Sequence, residues 1–236
     1  KIDGKKIIKT FTETLAESAS KFAFSLGGRA GYTSVNNEFY LTPRFSATYF
    51  PRAYMVRNNK VVRRNLSYRF ATGTYYQPPF YREFRTLDGN LNTKVQSQKS
   101  VHAVLGADVF FNMWQRERPF KFSGEIFYKY LWDVNPYEIE NVRTRYYANN
   151  DAVAYATGID FNVHGEFVPG IESFFKLGIM QTRENLKYDS YQEYYNAAGE
   201  KIIFGYSEDQ LVVDSATFFP GFIPRPTDQF LTVGAL

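Results

Sequence analysis

The sequence predicts an all-β fold, an antiparallel meander forming part of a large transmembrane outer-membrane β-barrel, with about eight strands within 236 residues. Three observations predict it. Apolar and polar residues alternate with a period of two for about ten residues at a time, the mark of a strand with one apolar and one polar face. The segments between these runs alternate, after the first, between short and long, as do the turns and loops of outer-membrane barrels. Aromatic residues make up 19% of the chain (23 Phe, 19 Tyr and 2 Trp) and gather where the runs end, as the girdles of a bilayer-spanning barrel do.

The strands read off in order. Over 21–32, Phe22, Phe24, Leu26, Gly28, Ala30 and Tyr32 oppose Lys21, Ala23, Ser25, Gly27, Arg29 and Gly31. Over 39–49, Phe39, Leu41, Pro43, Phe45, Ala47 and Tyr49 oppose Tyr40, Thr42, Arg44, Ser46 and Thr48. Leu66, Tyr68 and Phe70 alternate with Ser67 and Arg69, and the 101–111 run sets Val101, Leu105 and Val109 against His102, Gly106 and Asp108. Phe120, Phe122, Ile126, Tyr128 and Tyr130 alternate with Lys121, Ser123, Glu125 and Lys129. Val153, Tyr155, Ile159, Phe161 and Val163 oppose Ala154, Asp160, Asn162 and His164; Ile171, Phe175, Leu177 and Ile179 oppose Glu172, Lys176 and Gly178. An eighth strand is expected before Glu13, and the residues after Phe222 begin a ninth.

The connections cover 33–37, 51–60, 74–99, 113–119, 132–150, 167–170 and 184–222. One end of the strands thus carries turns of 10, 7 and 4 residues, the other loops of 26, 19 and 39. Compact soluble domains rarely need several loops that long. Phe22, Tyr49, Phe111, Trp114, Phe120 and Phe167 fall at the short-turn end; Tyr32, Phe39, Tyr130 and Trp132 fall at the long-loop end. The competing architecture is a soluble β-sandwich whose apolar faces meet in one core. In the barrel, Phe24, Leu26, Phe45, Leu105, Ile126 and Ile159 face lipid, while Lys121, Glu125, Asp160 and Lys176 line the inside.

Several chemistries are excluded or unsupported. There is no cysteine, which removes disulfides, zinc-thiolate sites and thiol catalysis. The longest stretch free of charge, Phe70 to Tyr81, contains Pro78 and Pro79 and falls short of the roughly 20 residues of a membrane helix. The net charge is +4 and its positive members are scattered, so no nucleic-acid footprint is present. No nucleophile elbow, phosphate-binding loop or zinc-protease motif occurs, and no enzyme activity or cofactor is expected.

The candidate sites are of two kinds. Arg29, Arg44, Arg69, Asp108, Glu125, Lys129, Asp160, His164, Glu172 and Lys176 share the polar faces, where mutual pairing inside a barrel is expected. His164 and Glu166 lie two apart with Asp160 and Asn162; lumenal hydrogen bonding explains them better than a metal, which lacks a third clustered ligand. The long loops offer Tyr137, Arg143, Arg145, Tyr146 and Tyr147, and Tyr188, Tyr191, Tyr194, Tyr195 and Tyr206. Aromatic and Arg side chains stack and bind anions at modest entropic cost, so ligand capture by Tyr137, Arg143, Arg145, Tyr146, Tyr191, Tyr194 and Tyr195 is expected. Packing of these loops on one another uses the same residues.

Five segments, in order, carry a resemblance: "SLGGRAGY" (25–32), "FYLTPRFSATYFP" (39–51), "SYRFATGTYYQPPFYREFR" (67–85), "NLNTKVQSQKSVHAVLGADVFF" (90–111) and "FIPRPTDQ" (222–229). Together they resemble the C-terminal part of the barrel of TonB-dependent outer-membrane receptors of the kind found in Bacteroides-like bacteria. The resemblance implies a plugged barrel of 22 strands, of which residues 1–236 would be a fragment without the plug or the TonB box. It also implies a bacterial outer-membrane location, contact with outer-membrane lipid, and coupling to the TonB complex through the plug. The ligand implied is a scarce small molecule or glycan: a metal chelate, haem, cobalamin or an oligosaccharide. A small non-energised porin or adhesin and a soluble binding module are the other readings of the same chain.

Overall fold

A computed structural model describes residues 22–51, 54–57, 60–63, 66–115, 118–225 and 228–236. The strand expected before Glu13 lies outside these residues. In chain order the strands are β1 (Phe22–Thr33), β2 (Glu38–Tyr49), β3 (Tyr54–Arg57), β4 (Lys60–Arg63), β5 (Leu66–Gln77), β6 (Gln98–Phe111), β7 (Phe120–Val134), β8 (Tyr137–Glu140), β9 (Arg143–Tyr146), β10 (Ala152–Val168), β11 (Ile171–Leu186), β12 (Tyr191–Tyr195), β13 (Asp214–Phe218), β14 (Ile223–Pro224) and β15 (Leu231–Ala235). The only helix among the described residues is a single 3₁₀ turn, Tyr81–Phe84. None is long and apolar enough to cross a membrane.

One antiparallel sheet runs β1–β2–β5–β6–β7–β10–β11, with β14 and β15 both paired to β11. It is a meander: sequence neighbours pair, apart from short hairpins that loop out. Among the described residues β1 pairs with β2 alone and β15 with β11 alone, so the sheet is open. The ninth strand expected after Phe222 is present as β15, preceded by the two-residue β14.

The period-two pattern sets the register. Phe24, Ala47, Phe70, Leu105, Ile126, Ile159, Ile179 and Leu231 face one another in turn across eight strands. The row spans seven strand spacings, roughly 34 Å. It is uncovered: Phe24 is 69% exposed, Leu105 59%, Ile126 56% and Leu231 56%. Leu26 and Ile159 are exposed as well, and Phe45 is half-buried. No second sheet packs on this face among the described residues. A sheet face this apolar is normally buried against another layer, and a soluble monomer rarely leaves so large a patch in water.

The opposite face is polar in the same register. Thr48, Arg69, Gly106, Glu125, Asp160, Gly178 and Thr232 form one row. Ser67, Asp108, Ser123, Asn162, Lys176 and Gly234 form the next. Asp108 is its hub, accepting a hydrogen bond from Ser123 Oγ at 2.7 Å and pairing with Arg69 at 3.3 Å and Lys121 at 3.5 Å. Arg69 also reaches Glu125 at 2.8 Å.

Pro43 would break a central ladder, because it has no N–H. Here β2 meets β5 only from Arg44 onward, opposite Gly73. Pro43 therefore faces an unpaired flank on that side and sits opposite Gly28 on the other.

The structure extends and furnishes the predicted elements. Strand β5 continues to Gln77, into the segment 74–99 that the sequence reads as a connection. The connections are not structureless: 132–150 and 184–222 contain the hairpins β8–β9 and β12–β13, and the hairpin β3–β4 begins in 51–60 and runs on to Arg63. The shortest turn narrows to Pro169–Gly170, where Gly170 has φ +80° and donates its N–H to the Glu166 carboxylate. Such a φ suits glycine, which has no Cβ to clash.

At this short-turn end the aromatics gather. Phe22 stacks on Tyr49 at 4.8 Å between centroids, and Phe120 contacts Phe111, Trp114 and Phe167 at 5.8, 5.8 and 5.3 Å. Phe120 is fully buried and so lies inside this cluster rather than on its rim. Gly165 is the floor beneath it: a Cβ there would come within 2.1 Å of the Phe120 ring.

Candidate functional site

The long-loop end holds most of the small cores the described residues possess. Phe84, Val95 and Ala148 form one, and Val134, Ala152 and Ala154 with Leu131 form another. The first joins the connections 78–97 and 135–151; the second joins the ends of β7 and β10. Polar side chains complete the joint. Asn150 accepts from Gln96 N–H at 2.8 Å and donates to Gln96 O at 3.1 Å and Asp133 O at 2.7 Å. Asn92 donates to Ala148 O at 2.9 Å, and Asn135 to Glu83 O at 3.0 Å. Asn36 donates to Val95 O at 3.0 Å, and Glu38 accepts from Ser97 N–H at 2.7 Å. Lys99 then joins Asp133 at 2.7 Å and Glu38 at 3.6 Å. Asn135 is buried and Asn36, Glu38, Asn92 and Asn150 are half-buried; polar side chains with partners rigidify the segments they join. The connections 34–37, 78–97 and 135–151 thus form one knitted cap.

Glu83, in the 3₁₀ turn, is buried and accepts from Phe80 N–H at 2.8 Å and from Gln98 Nε2 at 3.2 Å. Burial lifts its carboxyl above the ordinary 4.5, against the pull of the Phe80 N–H.

A cavity of about 440 Å³ opens between this turn and β9, lined by Tyr81, Arg82, Arg85, Thr144, Arg145 and Tyr146 with the backbone around Gly89. Arg145 is held from two sides, by the Glu140 carboxylate and by Leu87 O. Arg85 donates to Tyr81 Oη at 3.0 Å and lies over the same ring at 5.7 Å. The Arg82 side chain has no hydrogen-bond or ion-pair partner among the described residues. Burial pushes the Tyr146 phenol above its ordinary range, which keeps it a neutral donor.

The sequence-predicted loop residues divide between two places. Tyr137 and Tyr146 face each other across β8–β9, their rings 5.9 Å apart. Arg225 lies over the Tyr137 ring at 5.2 Å and pairs with Glu184 at 2.7 Å. Arg145 and Tyr146 line the cavity; Arg143, exposed at the hairpin tip, does not. Tyr191, Tyr194 and Tyr195 stand on the separate β12–β13 hairpin. There Tyr191 stacks on Phe218, Tyr194 meets Phe204 edge-on, and Tyr195 Oη donates to Glu193 at 3.0 Å. These three tyrosines pack their own loop and line neither cavity described here. Tyr81, Arg82 and Arg85 were not singled out as site residues in the sequence. Their signal is the stretch "FYREFR", where two Arg flank a buried Glu just after Pro78–Pro79.

A second cavity, about 760 Å³, lies at the short-turn end on the polar face, where Arg118, Lys121, His164, Glu166 and Glu172 meet beside Phe110. Its charges are mixed, and no cluster of three or more His, Cys, Asp or Glu fit for a metal exists among the described residues. His164 instead rests beside Phe174, 5.9 Å between ring centroids.

No protein-family model, curated protein or solved structure matches the chain.

Proposed function

We propose that these strands belong to the barrel of a TonB-dependent outer-membrane receptor, which binds a scarce ligand outside the cell and imports it with energy transmitted through a plug. One observation carries the reading: the apolar row from Phe24 to Leu231 stays uncovered across eight strands, while the opposite face is knitted by Arg69, Asp108, Lys121 and Glu125. Only lipid offers an apolar medium for such a face without a second protein layer. Strands β6, β7, β10 and β11 have 14, 15, 17 and 16 residues. That exceeds the 9–11 or so a tilted membrane strand requires, leaving their ends to carry the knitted cap. The reading involves no bond chemistry: binding and plug movement suffice.

The test is fractionation and surface labelling of the whole receptor in a Gram-negative host. Residues 1–236 have no cysteine, so with any cysteine elsewhere in the receptor changed to serine, single cysteines report cleanly. An Asp88→Cys variant should react with an impermeant maleimide on intact cells, and Glu172→Cys only after permeabilisation. Uptake should cease when TonB is deleted. Recovery of the protein in the soluble fraction without detergent would overturn the reading.

A further inference from the structure

We infer that the cavity between the 3₁₀ turn and β9 is a binding site for a carboxylated sugar, of the kind found in uronic-acid oligosaccharides. The inference rests on the receptor reading for where the ligand comes from; the chemistry rests on the cavity itself. Arg82, Arg85 and Arg145 all line it, and no carboxylate does. Guanidinium groups hold carboxylates through paired, charge-assisted hydrogen bonds. Two of the three are fixed beforehand, Arg145 by Glu140 and Leu87 O, Arg85 by Tyr81. Fixing a donor before the ligand arrives lowers the entropic cost of binding. Arg82 alone lacks a protein partner among the described residues, and its guanidinium is the open position for an anion.

The remaining wall suits a sugar ring rather than a purely apolar ligand. Tyr81 and Tyr146 supply ring faces, Thr86 and Thr144 supply hydroxyls, and Leu87 is the sole aliphatic side chain. Tyr81 is 70% exposed, so the ring face away from Arg85 is open to a ligand arriving from solvent. A pocket of this volume falls in the range of small-ligand sites. Arg82 and Arg85, which no carboxylate pairs among the described residues, disfavour cations, and the scarcity of aliphatic wall disfavours a ligand that offers hydrocarbon alone.

The experiment uses the whole receptor in detergent micelles and calorimetric titration with trigalacturonate, with galactotriose as the neutral analogue. Trigalacturonate should bind, galactotriose should not, and binding should weaken steeply as salt rises to about 0.5 M. Arg82→Gln should weaken binding about tenfold or more, and Arg82→Lys should restore part of it. Arg82 supports no other side chain, so its loss should leave folding intact; the same heat-modified mobility in gels checks this. Equal affinity for the two trisaccharides, or no effect of Arg82→Gln, would overturn the inference. Maleimide labelling of Asp88→Cys separates the two claims. A labelled surface without acid-sugar binding removes this inference and keeps the receptor. Acid-sugar binding by a soluble protein keeps this site and removes the receptor.

Discussion

Placing Arg at Leu105 separates a face built for lipid from a face that merely happens to be apolar. Leu105 lies midway along β6, between Phe70 on β5 and Ile126 on β7, and is 59% exposed. Were this face in water, a guanidinium there would keep its hydration, and surface substitutions of that kind change stability by about 0.5 kcal/mol or less. At a bilayer midplane the same change costs about 2–4 kcal/mol. That is roughly 30- to 700-fold in the folding equilibrium. The cost should fall with distance from the midplane, so Val101→Arg and Val109→Arg, toward the two ends of the strand, should each cost about 1 kcal/mol or less. The assay is equilibrium folding of the whole barrel from urea into phosphatidylcholine vesicles, with Val104→Arg on the polar face as a control for β-propensity. A loss at Leu105 below half a kcal/mol, or one no greater than at Val101, would refute the assignment of this face to lipid.

Three further outcomes follow from the packing. Gly165→Ala puts a methyl within 2.1 Å of the Phe120 ring, which Trp114 and Phe167 hold in place; a loss of about 1–3 kcal/mol is expected in the same urea titration. Asn150→Ala removes three hydrogen bonds joining Gln96 and Asp133, so segment 78–97 should become sensitive to limited proteolysis on intact cells while the strands stay protected. Glu83 has a folded-state pKa raised above 4.5 by burial; its protonated form is the better tolerated, so cap stability is fully present below 4.5 and declines as pH rises through the folded value. Hydrogen exchange at Asn92, whose N–H is donated to Phe84 O, should therefore speed up with pH beyond its intrinsic rise, and Glu83→Gln should abolish that excess.

The strands were legible because a sheet with one apolar and one polar face writes its period directly into the sequence. Phe122 between Lys121 and Ser123 needs no partner to be read. The cap was less legible. Tyr191, Tyr194 and Tyr195 share composition with Tyr137 and Tyr146, yet the first group packs on Phe218 and Phe204 within its own hairpin. Which tyrosine lines a cavity depends on contacts between connections, and composition does not encode those. Arg82 and Arg85 are hidden in the sequence for the same reason: the turn that presents them is fixed by Glu83, whose role shows only once Asn135 and Gln98 have arrived beside it. The extension of β5 through Thr74, Tyr75, Tyr76 and Gln77 was hidden because two adjacent tyrosines give no alternation to read.

The cap also has a place in time. Its bonds join residues far apart in the chain: Asn36 to Val95 is 59 positions, Asn92 to Ala148 is 56, and Asn135 to Glu83 is 52. Closing such loops carries an entropic cost before any contact repays it. The ladders β2–β5, β5–β6, β6–β7 and β7–β10 bring these residues together, so the cap can close only after the sheet beneath it has formed. The arginine-lined cavity is accordingly among the last features to appear during folding. A substitution that slows pairing of β7 with β10 should delay the appearance of binding competence, even one placed far from any residue the ligand touches.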